Sequence, residues 1–240
     1  MKNMKLIKGA LLAGVCVCGM FVAEGRELVI LQTNDTHSQI DPTDKGYGGV
    51  QRRKVFVDSV RAARPDVLLV DAGDAVQGTL FFTLYGGEVE MKAMNNLGYD
   101  IAILGNHDFD NGMEAMARNV AMSDADWLAT NYEFSDSAVG KLFKPFRIYD
   151  YDGHKVGFIA LNLDPEGMIA AGNADGVKYL DAVEAANAAA WWLKHQEGAD
   201  MVVAVSHLGY ENVPSPSDQD IISNTKDIDI VLGGHSHTLL

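Results

Sequence analysis

Ile228-Asp229-Ile230-Val231-Leu232-Gly233-Gly234-His235-Ser236-His237 is an apolar run that stops on two glycines and delivers two histidines one residue apart. Ile228 to Leu232 is too short for a helix and reads as a buried strand. Working outward, the same grammar recurs four times. Glu27 to Thr33 runs into Asn34-Asp35-Thr36-His37, and Val67 to Val70 stops at Asp71-Ala72-Gly73-Asp74. Ile101 to Leu104 precedes Gly105-Asn106-His107-Asp108-Phe109-Asp110, and Met201 to Val205 ends in Ser206-His207. Five strand ends therefore present Asp, Asn and His, the ligand types of hard and borderline divalent metals.

Helices are predicted between these strands: Val50 to Ala63, broken by Pro65; Glu88 to Leu97, closed by Gly98; Met113 to Val120; Asp181 to Gln196, closed by Gly198; and Ser217 to Asn224. Trp127 to Thr130 reads as a short strand, and Phe146 to Tyr151 with Val156 to Leu161 as a hairpin across Asp152-Gly153. The segment from Gly78 to Gly86-Gly87 reads as a loop. Of the adjacent Trp191 and Trp192, one is expected in the core and one half exposed. Alternating strands and helices predict a layered α/β fold, in which ligands gather beyond the carboxyl ends of the strands. His37, His107, His207, His235 and His237 are five of the seven histidines, and all follow strand ends. The other two have plainer settings: His154 follows a turn, and His195 lies near a helix C-terminus, whose partial charge it complements.

The 240 residues carry 33 acidic and 19 basic side chains, a formal charge of −14, which argues against non-specific binding to nucleic acid or anionic lipid. Lys2, Lys5 and Lys8 precede an apolar stretch from Ala10 to Val22, and Ala23-Glu24-Gly25 places small residues where a signal peptidase cuts. Residues 1–25 are thus expected to be a signal peptide and residues 26–240 a single exported domain, periplasmic or extracellular. Both cysteines, Cys16 and Cys18, fall in this leader. Val15 and Val17 precede them where an acylation site carries a small residue, so a lipid anchor is the alternative reading. No later segment is long and apolar enough to span a membrane.

The residue types suit a two-metal hydrolytic site. Two divalent ions roughly 3.5–4 Å apart need a bridging carboxylate to screen their repulsion. Asp74, on a strand between the first and third, is the natural bridge. Imidazole and carboxylate donors without thiolates disfavour a closed structural zinc site. The expected cofactor is a pair of divalent ions, Zn, Mn or Co. A water held between them would lose a proton near neutral pH and attack. His107 is better placed to serve a phosphoryl oxygen than to ligate, with Asp110, three residues on, orienting its ring.

The blocks Asp35-Thr36-His37, Gly73-Asp74, Gly105-Asn106-His107-Asp108, His207 and Gly233-Gly234-His235-Ser236-His237 resemble the five motifs of the calcineurin-like metallophosphoesterases. The fuller strings LQTNDTHSQI, LGNHDFDNG, VSHLG and VLGGHSHT are similar, more narrowly, to the secreted bacterial 5′-nucleotidase and UDP-sugar hydrolase family. The resemblance implies a four-layer αββα sandwich, two mixed β-sheets flanked by helices. It implies Asp35, His37, Asp74 and His237 around one ion and Asp74, Asn106, His207 and His235 around the other. It implies His107 and Asp110 as the pair that stabilises the transition state. The implied activity is hydrolysis of nucleotides to nucleoside and phosphate. UDP-sugars, 2′,3′-cyclic nucleotides or general phosphodiesters are the alternative substrates.

That family also carries a second, C-terminal domain that stacks on the base and supplies arginines to the substrate. The sequence ends three residues after His237. The expectation is therefore a catalytic domain without its last strands, with the substrate domain either in a continuation or on a separate polypeptide. In the second case the chain would be a metal-binding half that is inactive until paired.

Overall fold

Residue period decides the layers. The structure is a computed structural model and describes residues 27–64, 66–151 and 153–238. The expected signal peptide lies outside the described residues. The strands are β1 (Ile30–Thr33), β2 (Leu68–Asp71), β3 (Ile101–Ile103), β4 (Asp126–Leu128), β5 (Tyr132–Phe134), β6 (Phe146–Tyr151), β7 (His154–Asn162), β8 (Val177–Tyr179), β9 (Met201–His207) and β10 (Ile230–Gly233). The helices are α1 (Val50–Ala63), α2 (Leu80–Tyr85), α3 (Glu88–Leu97), α4 (Gly112–Met122), α5 (Ser137–Gly140), α6 (Ala182–His195) and α7 (Asp218–Asn224).

Successive side chains on a strand point to opposite faces, and here both faces are apolar. Leu68, Val70, Ile101 and Ile103 meet Val156, Phe158, Ala160, Val203 and Val205 in a core between two sheets. The alternate residues Leu69, Ala102 and Leu104 turn outward onto Met91, Met94 and Leu97 of α3 and Met116 and Val120 of α4. Ile159, Leu161, Val202 and Ala204 turn the other way, onto α6 and Ile221 of α7. The order of layers is helix, sheet, sheet, helix, as the resemblance implied.

The first sheet has the order β1-β2-β3-β4 and is parallel throughout, since each crossover between its strands contains a helix. The second, β10-β9-β7-β6, is mixed: β6 joins β7 antiparallel through the predicted hairpin. Of the two sheets expected to be mixed, only this one is.

Three details depart from the sequence reading. β5 and β8 pair antiparallel as a separate two-stranded sheet; each has three residues, and their pairing is long-range, so no local periodicity marks them. The Gly78–Gly87 segment contains a helix, α2, capped by the Thr79 hydroxyl, which accepts from Phe81 N, and closed by Gly86 at φ 60°. Finally, Trp191 and Trp192 are both about half exposed, 50% and 47%. The buried face of α6 is Ala182, Ala186, Ala190 and Leu193, small side chains that seat the helix close to β7, where Leu193 already lies against Gly157. No indole fits beneath it. Trp191 packs on His195 instead, and Trp192 Nε1 donates to Glu197.

Candidate metal centre

The parallel strands of both sheets end on the same side, and the loops that follow pair with one another. Asp35 N donates to Gly73 O, His37 N to Asp74 O and Ser38 N to Ala75 O, each at 3.0 Å, so the loop after β1 continues the register of β2. Gly73 and Gly105 permit this crowding: a Cβ on Gly73 would stand 2.6 Å from His207 Nδ1, and one on Gly105 would stand 2.5 Å from the backbone N of Asp74. Asp35, His37, Asp74, His235 and His237 all have φ between 44° and 71°. This left-handed region is costly for side-chain-bearing residues and persists only where surroundings enforce it. The cost falls on the residues that the sequence singles out.

Two clusters result. In one, a ligand atom from each of Asp35, His37 and His237 lies within 4.8 Å of the others; in the second the same holds for Asp74, His207 and His235. His37 Nε2 and His237 Nε2 face each other at 3.2 Å, and His237 Nε2 is 3.4 Å from Asp35 Oδ1. Asp35 also accepts from the backbone N of His235, which ties the end of β1 to the end of β10 across the sheets. His207, fully buried, donates Nδ1–H to Ala72 O at 2.7 Å, which turns Nε2 toward Asp74 Oδ2 at 3.1 Å. Asp74 Oδ1 accepts from His107 N at 2.8 Å. Asn106 Oδ1 is buried without a hydrogen-bond partner. Buried polar atoms are rarely left so, and a cation supplies what a lone pair lacks here. The donor set fits divalent metal in both clusters.

The charges agree. Burial alone would lower His207, but contact with Asp74 and the field of Asp35 outweigh it and push the ring up to about 9. Asp74 is held below the usual carboxylate range, because His207 and the His107 amide outweigh its burial. His37 and His235 are lowered by burial first of all, which favours the neutral, ligating imidazole. At the open side of the site, His107 Nδ1 pairs with Asp110 Oδ2 at 2.9 Å, and both side chains are about one-third exposed. The His107 ring lies 5.3 Å from that of His37.

The structure brings Asp35, His37 and His237 together, and Asp74 together with His207 and His235. Asn106 stands between Gly105 and His107 with its oxygen unpartnered. The sequence reading overlooked the second rank behind them. Asp108 is buried, accepts from Gly105 N at 2.7 Å, and is raised to about 8 by burial, then by Asp74. Asp71, buried at the end of β2, accepts from Thr33 Oγ1 and Gly73 N and is raised to about 7, again by burial first. Asn34 Nδ2 donates to Asp35. The only signal for these was adjacency to a ligand candidate, which does not separate a supporting carboxyl from a turn residue.

Comparison with known proteins adds the family. The calcineurin-like phosphoesterase profile matches residues 28–239. A snake venom 5′-nucleotidase from Gloydius brevicauda is 34% identical over 94% of this chain and 39% of its own length. A 5′-nucleotidase from Vibrio cholerae is 32% identical over 96% of this chain and 45% of its own. The crystal structure of a 5′-nucleotidase precursor from Thermus thermophilus superposes with a TM-score of 0.79 at 32% identity, over 88% of this chain and 42% of that one. The chain thus spans about two-fifths of the length of these relatives. With the profile matched across both sheets and every strand-end cluster, the chain belongs to the calcineurin-like phosphoesterase family.

Proposed function

We propose that this chain is the metal-bearing catalytic part of a phosphoric ester hydrolase that acts on nucleotides, with Asp35, His37, Asp74 and His237 around one divalent ion and Asp74, Asn106, His207 and His235 around the other. The observation that carries this reading is the pair of adjoining clusters of carboxylate and imidazole ligand atoms, with Asn106 Oδ1 buried and without a protein partner. When bound, the ions neutralise phosphoryl oxygen charge and supply an activated water. Asp74 would be the carboxylate shared by the two ions; its Oδ1 accepts from His107 N and its Oδ2 lies 3.1 Å from His207 Nε2. His207 is held in its ligating tautomer by Ala72 O. His107, its Nδ1 given to Asp110, turns Nε2 toward the phosphoryl group and stabilises charge as it develops.

Zn, Mn or Co suits the His-rich donor set. An exported location accords with the leader read from the sequence, and no helix of the described residues is long and apolar enough to cross a membrane. The named 5′-nucleotidases are more than twice this length, and the two clusters contact only the phosphate in this reading, so we assign recognition of the base to groups other than these ligands.

The test is kcat/KM of the 240-residue chain for AMP, UMP, UDP-glucose, 2′,3′-cyclic AMP and an aryl phosphate, with measured metal content. The expected result is two ions per chain, turnover lost on chelation, poor discrimination among these esters, and a fall in KM for nucleotides when a base-binding domain is added. Full activity in metal-free protein would overturn the metal reading. A strong preference of the isolated chain for one base would overturn the division of labour.

A further inference from the structure

Beneath the Asp35 cluster lies another group of buried polar atoms without partners. Glu90, in the first turn of α3, is 3% exposed, and neither carboxylate oxygen has a hydrogen-bond partner. Ser38, 1% exposed, has an unpartnered Oγ. Both line a cavity of ≈ 10 Å³ whose other walls include Arg53, Asp71 and Tyr99. A carboxylate near a helix N-terminus is favoured by the helix dipole, but Glu88 meets that need from the surface. Burying Glu90 as well, with no donor, is costly unless something in the cavity donates to it. Arg53 does not do so directly; its Nη2 donates to Gln39 O at 3.2 Å. The space is about that of a single water, which can donate to a carboxylate and accept from a hydroxyl or guanidinium.

The position matters because of the loop above. Asp35, His37 and Ser38 have φ of 48°, 44° and 53°, so the loop needs restraint on every side. The strand-end hydrogen bonds to Asp74 O and Ala75 O and the Thr79 hydroxyl on Ser38 O restrain three contacts. None of the six residues of the two clusters lines the cavity; Thr36, Ser38 and Gln39 of this loop do, with Asp71 and Ala75 from the end of β2.

We propose that Glu90, Ser38 and Arg53 enclose one buried water, and that this water fixes the Asp35–Ser38 loop in the shape that receives the ion at Asp35, His37 and His237. Glu90 is then a positioning residue for that half of the metal centre, an inference that rests on the two-ion reading above. Supporting groups behind metal ligands change affinity by about 10–100-fold.

The experiment measures Mn2+ binding by calorimetry in wild type, Glu90→Met, Ser38→Ala and Glu90→Gln. Each is examined in a His235→Ala background, which leaves the Asp35 cluster intact, and in a His237→Ala background, which leaves the other. Glu90→Met and Ser38→Ala should each weaken the Asp35-cluster ion about 10–100-fold and leave the other ion unchanged. Glu90→Gln, which keeps an acceptor, should recover most of the loss. The double variant should be little worse than either single, because both act through one water. Should Glu90→Met fail to fold, Ser38→Ala carries the same comparison. Two ions in wild type with unchanged affinity in the variants, or equal losses at both ions, overturns this inference alone. Fewer than two ions in wild type overturns the two-ion reading and this inference with it.

Discussion

At the residue scale, Asp74 and His107 stand next to each other and should fail in different ways. Asp74 joins the His107 amide to the His207 ring. Replacing it with Asn removes the charge that both ions share, so Asp74→Asn should lower metal content below two per chain by elemental analysis and abolish turnover. His37→Ala should affect mainly one ion. Retention of both ions in Asp74→Asn would show that the bridge lies elsewhere. His107 donates its backbone, not its ring, to Asp74. His107→Ala should therefore keep both ions and lose kcat by about 10²–10⁴-fold. Asp110→Asn should lose less, since it orients the ring through a single hydrogen bond of 2.9 Å. Loss of an ion in His107→Ala would make His107 a ligand.

At the element scale, the strand ends work only because two of them approach without side chains between. Gly105 stands where any Cβ would press on Asp74 N at 2.5 Å, and also on the Asp74 carboxylate. Gly105→Ala must push the ends of β2 and β3 apart. Overpacking of this kind costs about 1–3 kcal/mol, or a fall in Tm of roughly 2–10 °C for a chain this size. The loss in metal affinity should be larger than that stability loss alone explains, because the displaced group is the bridge. Thermal melts and metal titration on the same sample check this. A variant that melts early but binds metal like wild type would mean that the β3 loop is not coupled to the site. Gly112→Ala, with nothing within 4 Å of its Cβ, serves as the control for a glycine lost from the same loop, at the strain of φ 80° only.

At the scale of the whole molecule, the buried acids and His207 make metal-free stability depend on pH with one sign. Asp71, Asp108 and His207 are raised to about 7, 8 and 9. A group raised in the folded state binds its proton more tightly there than in the unfolded chain, so its stabilisation is lost as pH rises through the folded value. His37 and His235 are lowered; their opposite contribution is complete by pH ~6.5, the unperturbed histidine value. From pH 6.5 to 9, then, metal-free protein should lose stability, by roughly 5–10 °C in Tm. Divalent ions should reverse this, displacing the proton from His207 and offsetting the repulsion between Asp74 and Asp108 as Asp108 ionises. The stabilisation by Mn2+ should therefore grow with pH over that range. A metal-free melt flat from pH 6.5 to 9 would show that these groups do not carry the charges assigned to them.

Much of this was legible along the chain because the information is local. A strand covered on both faces is a short apolar run, and Val67–Val70 before Gly73-Asp74 is buried throughout. Ile228–Leu232 before His235 also forms a strand, but β10 ends its sheet and is only half-buried, against the buried strand expected there. The layered α/β class followed from alternation of those runs with amphipathic helices, the helix–sheet–sheet–helix order only from the family resemblance, and the ligand types from what stood at the strand ends. What only the tertiary structure decided is long-range. The pairing of β5 with β8 joins segments whose partners are more than forty residues apart. The exposure of both Trp191 and Trp192 depends on how close α6 sits to β7. The raised pKa values of the buried acids Asp71 and Asp108 and the unpartnered Glu90 over a water-sized cavity depend on which loops close over them. A residue's type and spacing say what it can do; its desolvation and the company it keeps are fixed by elements far away in sequence, and only folding brings those together.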